Sequence, residues 1–165
     1  MRFVIRRLLW IASLCVGALA GTACGAAAQT VADATVQVLA GSGAAGISDG
    51  IGSRATFLMP SAVAYGPGRT LYVADAAAQR IRAVDGRGIV RTIAGGGAIT
   101  RSGLWVRGGF ADGAAAQARF YHPSGLAVRR DGAVYVADTF NHCIRLIRSD
   151  VVSTIAGRCG TAGTA

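Results

Sequence analysis

The side chains able to do chemistry are few, and most of them come in pairs. Asp75 and Asp138 each close an apolar run, Leu71-Tyr72-Val73-Ala74 and Val134-Tyr135-Val136-Ala137. A carboxylate at that position can accept hydrogen bonds from backbone N–H groups of the turn that follows; with other ligands it could instead hold a metal or act as a base. Asn141 lies in the second of these turns and has the same capacity to bond the backbone. Asp49 and Asp112 each precede a glycine and read as turn formers. His122 stands just before Pro123, and His142 just before Cys143 and Ile144. Two separate imidazoles do not make the three-ligand set of a catalytic zinc site. Gly95, Gly96 and Gly97 open no helix, so they are a chain connection and not a phosphate cradle. We therefore assign no catalytic residue, metal ligand or cofactor.

Two further groups bear on covalent chemistry and contact. Cys143 and Cys159 flank a hairpin if Ser149 and Asp150 form its turn, which would set Cys143 opposite roughly Ala156. A bridge there would contribute about 3 kcal/mol in the chain-entropy picture; two free thiols are the alternative. Arg101, Trp105 and Arg107 lie in a long connection, and an aromatic flanked by guanidinium groups has the composition of a contact patch. The competing reading folds Trp105 onto its own sheet.

These residues are positioned by a repeat. At an offset of 63, Asp49 matches Asp112, Phe57 matches Phe120, Pro60 matches Pro123, Asp75 matches Asp138, and Ile81 and Arg82 match Ile144 and Arg145. At an offset of 62, Thr92-Ile93-Ala94-Gly95 matches Thr154-Ile155-Ala156-Gly157, and Val38-Leu39-Ala40-Gly41 opens the first copy in the same way. Such a period marks stacked units that cannot bury their apolar faces singly. Within a period, short runs separated by turn residues predict four antiparallel strands, in the first copy over 61–65, 71–75, 80–85 and 89–94. A further strand-like run covers 36–40. The pair Asp131 and Gly132 suits a hairpin turn. Both alternate sets of residues in 71–74 and 134–137 are apolar, so both sheet faces are expected to be covered by like sheets. That is the pattern of a β-propeller. The connection over 95–111 exceeds its counterpart over 41–48 by nine residues.

The formal net charge of +9 comes from 17 basic and 8 acidic residues. It falls to +6 without Arg2, Arg6 and Arg7. The remaining arginines form no run, and no nucleic-acid module is present, which argues against nucleic acid as a partner. Those three arginines precede an apolar run over 8–20 and then small residues, the three regions of a secretory signal peptide. Thirteen residues of helix reach only about 20 Å, short of a hydrocarbon core of ~30 Å, so no mature transmembrane span is expected. Processing after Ala28 is one reading. A lipidated Cys24, after Gly21-Thr22-Ala23, is the other. Localisation is thus secreted or periplasmic, or lipid-anchored through Cys24.

The strings Pro123-Ser124-Gly125-Leu126-Ala127-Val128, Asp131-Gly132-Ala133-Val134-Tyr135-Val136-Ala137-Asp138 and Asn141-His142-Cys143-Ile144-Arg145 resemble the NHL repeat. The Ala118-Arg119-Phe120 that precedes the proline belongs to the same pattern. The resemblance implies an all-β fold of four-stranded propeller blades, here an incomplete propeller of two. The sequence departs from that pattern at Ala78, where the family has Asn, and at Cys143, where Arg is frequent. The organisation expected is a signal peptide over 1–28, a linker over 29–36, repeats over 37–90 and 91–152, and the start of a truncated third repeat over 153–165. The signal-peptide pattern, the repeats and the connection bearing Trp105 point to an exported binding or interaction scaffold, and two blades being too few to close a ring, to a segment of a larger propeller that takes a protein or small ligand and associates with further blades or with itself. The alternative it offers is part of an enzyme, lyase or lactonase-like, with a metal in the central channel. The faces bearing Tyr72, Val73, Tyr135 and Val136 are expected to lack partners within the chain.

Overall fold

A computed structural model describes residues 35–96 and 106–163. Its first sheet contains β1 (Gly50–Ile51), β2 (Pro60–Gly66), β3 (Thr70–Asp75), β4 (Arg80–Val84) and β5 (Ile89–Ala94), and its second β6 (Gly113–Ala114), β7 (Pro123–Val128), β8 (Val134–Asp138), β9 (Cys143–Arg148) and β10 (Val151–Ala156). All pairings are antiparallel, and the sheet orders are β1-β5-β4-β3-β2 and β6-β10-β9-β8-β7. No α-helix occurs among the described residues. Each sheet is thus a four-stranded blade with a two-residue strand added at its outer edge. The run over 36–40 does not form a strand of either sheet and has only a single bridge position, at Val38.

Strand lengths follow the turn chemistry. Ser149 and Asp150 both take positive φ, 50° and 58°, the conformation that lets a two-residue loop reverse the chain without splaying β9 from β10. Gly132, at φ 87°, closes the β7–β8 hairpin, where its N–H donates to the Arg129 carbonyl. β10 carries a bulge between Thr154 and Ala156, so Ala156 pairs with Ile144 and not with Cys143. The signature Ala-Gly at the end of each outer strand also has a steric cause. Gly95 (φ 89°) and Gly157 (φ 81°) pass so close to the last carbonyl of the β3–β4 and β8–β9 turns that a Cβ would lie 2.4 Å from Gln79 O and 2.6 Å from His142 O.

The principal core lies between the two sheets. Tyr72, Ala74, Ile81 and Ala94 of the first blade meet Phe120, Val134, Val136, Ile147 and Val152 of the second. The opposite face of the first blade, with Val73, Val84 and Val90, is covered by Leu39, Ala40, Ala55 and Phe57. The expectation of four unpartnered residues is therefore corrected. Val136 is fully buried against the first blade, Tyr72 packs on the same cluster, and Val73 is buried beneath the chain leading into β2. Alternation explains the error: neighbours such as Tyr135 and Val136 face opposite ways and cannot share an uncovered face. Tyr135 is half-buried on the outer side of the second blade.

Candidate functional site

Among the described residues the largest fully buried side chains are Arg82 and Arg145. Both organise the same cluster, once per repeat. Arg145 Nε and Nη2 donate to Asp112 Oδ1 at 3.0 and 2.6 Å, Nη1 donates to Asp138 Oδ2 at 2.7 Å, and the remaining donors reach the carbonyls of Arg119 and Ala111. Arg82 repeats this with Asp49 at 3.1 and 2.6 Å and with Asp75 at 3.4 Å, plus the carbonyls of Thr56 and Ser48. The guanidinium groups lie over Phe57 in the first unit and between Phe110 and Phe120 in the second, 4.9 to 5.1 Å from the ring centres. A planar cation bound on every edge and flanked by aromatic faces is the arrangement in which arginine tolerates burial.

The four carboxylates take two roles. Asp49 and Asp112 tie the arginine to the outer strand, since Oδ2 of each accepts the backbone N–H of Thr92 or Thr154. This pulls the following Gly50–Ile51 and Gly113–Ala114 alongside β5 and β10, which is why the sheets have an added edge strand. Asp75 and Asp138 accept backbone N–H groups from the segment entering the innermost strand, Met59 and Leu58 in one case and Tyr121 in the other. Burial pushes the carboxyls of Asp75 and Asp138 above the ordinary value, against the pull of those hydrogen bonds and of the arginine. Burial acts upward on Asp112 too, but the bonds from Arg145 and Thr154 outweigh it and hold this carboxyl below the usual range.

The turns after β3 and β8 both meet residues 106–109, and there the two units differ. Ala76, Ala77, Ala78 and Gln79 are all buried, because Val106 N–H donates to the Ala77 carbonyl and Gln79 Nε2 donates to the Val106 carbonyl. Gln79 Oε1 also accepts the His122 N–H at 2.6 Å. In the second unit Asn141 is buried and its amide donates to Asp138 Oδ2 at 2.8 Å and to the Gly109 carbonyl at 2.9 Å. Ala78 can make neither bond. Asp75 instead takes the Leu58 N–H on both of its oxygens.

Beside Asn141 the surface is aromatic. Phe140 and Tyr121 are 48% and 44% exposed and meet edge to face with centroids 5.1 Å apart, while the His122 ring stacks on Phe140 at 4.5 Å. Arg107 is exposed on the segment that crosses from Ala77 to Gly109. Arg101, Trp105 and Cys24 lie outside the described residues. Cys143 and Cys159 form a disulfide with Cα atoms 5.1 Å apart. It holds the chain after β10 against the same turn, where Gly160 N–H donates to the Asn141 carbonyl. His142 is exposed at the end of that turn, and no group of three or more His, Cys, Asp or Glu able to hold a metal occurs among the described residues. Sequence reasoning missed Arg82 and Arg145 as organising residues. The available signal was that each recurs at the repeat offset together with one phenylalanine and two aspartates.

The NHL repeat family matches residues 120–145, which run from the buried Phe120 to the buried Arg145. The chain is 33% identical over 139 residues to Protein SUPPRESSOR OF QUENCHING 1, chloroplastic, from Arabidopsis thaliana, covering 81% of this chain and 13% of that protein. Among solved structures it is similar to an auxiliary nutrient binding protein from Bacteroides thetaiotaomicron VPI-5482, with 26% identity, a TM-score of 0.57, and 73% and 29% of the two chains covered. It also shares its fold with an auxiliary nutrient binding protein from Bacteroides ovatus ATCC 8483, with 22% identity, a TM-score of 0.53 and the same coverage. The chain thus spans less than a third of each of these proteins. With the repeated strand order, the repeated arginine cluster and these likenesses together, residues 120–145 are an NHL repeat and the two sheets are blades of the β-propeller type.

Proposed function

We propose that this chain is an exported NHL-repeat propeller segment that acts as a binding scaffold, contributing its two blades to a larger propeller and making contact through the side that carries the long connection. The observation that carries this reading is the exposed pair Tyr121 and Phe140, with the half-buried His122 stacked on Phe140, beside the exposed Arg107. Amphipathic rings that keep large exposed areas while held rigidly by one another are suited to a contact surface. The likeness to an auxiliary nutrient binding protein supports binding over chemistry. Export is supported by the apolar run behind Arg2, Arg6 and Arg7 and by the disulfide, a bond that persists in oxidising compartments. Among the described residues no helix is long and apolar enough to cross a membrane.

Trp10 and Trp105 are the two tryptophans, so a chain processed after residue 28 or before Cys24 carries Trp105 as its single fluorescent reporter. Titration with a panel of oligosaccharides and short peptides should identify a probe that shifts this emission. Replacing Phe140 and Arg107 by Ala should then weaken binding of that probe while leaving the β signal unchanged. Unchanged affinity in that double variant would overturn the assignment of the surface, and recovery of the protein from the cytoplasm with residues 1–23 still attached would overturn export.

A further inference from the structure

The two blades bury one interface between them, and each half of that interface is repeated on the opposite side of the molecule, exposed on the second blade and only partly covered on the first. On the first blade, Ile81 and Ala94 are fully buried by the second blade, and Ile93 packs against the same core. Their repeat equivalents, Ile144, Ala156 and Ile155, hold the same positions in β9 and β10 and are exposed, Ile144 by 38% and Ile155 by 47%. On the second blade, Leu126 and Val128 pack into the shared core. Their equivalents on the first blade, Val63 and Tyr65, are 47% and 63% exposed. The free face of the second blade is thus a copy of the surface that the second blade itself recognises, and the free face of the first is a copy of the surface that recognises it.

We infer that this chain associates head to tail with a second copy of itself, the free face of one copy's second blade seating on the free face of the other's first blade. The inference rests on the reading of the blades as a segment of a larger propeller and names the partner that enlarges it. A heterologous contact of this kind closes into a ring when the rotation per copy fits.

Part of the seat is already occupied. Gly41 and Ser42 N–H donate to the carbonyls of Gly52 and Ala55, the same bonds that Gly95 and Gly96 make to Ala115 and Ala118 at the interface between the blades. Leu39 and Ala40 stand where Ile93 and Ala94 stand in that interface. Residues 39–42 therefore imitate the end of an outer strand, and the arriving copy must replace them with its own Ile155, Ala156 and Gly157. The exchange is balanced in backbone bonds, and it adds burial of Ile144, Ile155, Val63 and Tyr65.

The test is light scattering coupled to size-exclusion chromatography, on the purified chain and on variants whose circular dichroism matches it. Wild type should show masses that are multiples of the single chain and rise with concentration. Ile144→Asp and Val63→Asp change exposed residues, and each alone should stop growth of the assembly. Mixed together they should form a complex of two copies and no larger, because one intact face remains on each. Ala40→Asp should strengthen association of the otherwise wild-type chain by roughly tenfold or more, since apparent affinity scales with the fraction of chains whose seat is open. A wild-type mass of one copy at every concentration, or a mixture of the two face variants that stays monomeric, overturns the inference. Probe binding at Trp105, measured on the same samples, reports separately on the scaffold reading.

Discussion

Replacing Arg145 with Met tests how the repeat is held together. Methionine keeps an apolar stem between Phe110 and Phe120 but removes every donor, including those to Asp112, Asp138, Ala111 and Arg119. The Asp138 carboxylate, with no solvent exposure, is left with Tyr121 N–H and the Asn141 amide. Breaking a buried pair by removing one partner costs about 3–5 kcal/mol, because the remaining charge stays desolvated. Adding Asp138→Asn removes that charge and should return about 1–3 kcal/mol. Arg82→Met should cost less, since the Arg82 to Asp75 contact is longer, 3.4 Å against 2.7 Å, and Asp75 is held by both Leu58 and Met59 N–H. The assay is urea unfolding without reductant, at one fixed protein concentration so that association contributes equally to each variant. A loss under about 1 kcal/mol for Arg145→Met, or a double variant no more stable than the single one, would refute the view that the arginine neutralises a buried carboxylate.

Reducing the Cys143–Cys159 bond, which closes a loop with a sequence separation of 16, should lower stability by about 3 kcal/mol, and thiol titration of the unreduced protein should find neither residue free. Asn141→Ala removes one bond to the Gly109 carbonyl and one to Asp138, so a loss of about 1–3 kcal/mol in urea unfolding is expected, with increased hydrogen exchange at residues 106–111. Stability should pass through a shallow maximum as the solution is acidified. The raised carboxyls of Asp75 and Asp138 contribute stability that is fully present below their unfolded value of 3.8 and lost as pH rises through their folded values, while the lowered carboxyl of Asp112 contributes stability present above 3.8 and lost as pH falls through its folded value. In Asp112→Asn the loss of stability on the acid side of that maximum should lessen, as read from unfolding free energies across that range.

Local chemistry alone determined much of this protein. The offset of 63, the short apolar run 134–137 and the turn pairs at 131–132 and 149–150 point to two blades of antiparallel strands, because strand and turn formation depend on neighbours a few residues apart. Cys143 and Cys159 were recognisable as bridge partners for the same reason, although the bulge at Ile155 moved the pairing by one residue. What sequence could not convey was burial. Nothing in the runs around Arg82 and Arg145 marks these side chains as buried; they are enclosed by Phe57 or Phe120 and by two aspartates 7 and 33 residues distant. The assignment of Val73 and Val136 to uncovered faces failed likewise, since which face of a sheet is covered is a property of the neighbouring sheet. The tertiary structure also decided that Ala78 and Asn141, equivalent in the repeat, are both buried for different reasons, one beneath Gln79 and Val106 and the other through its bonds to Gly109 and Asp138. Contacts between residues far apart in the chain have no local signature, because the free energy that selects them is gained only when both segments leave water together.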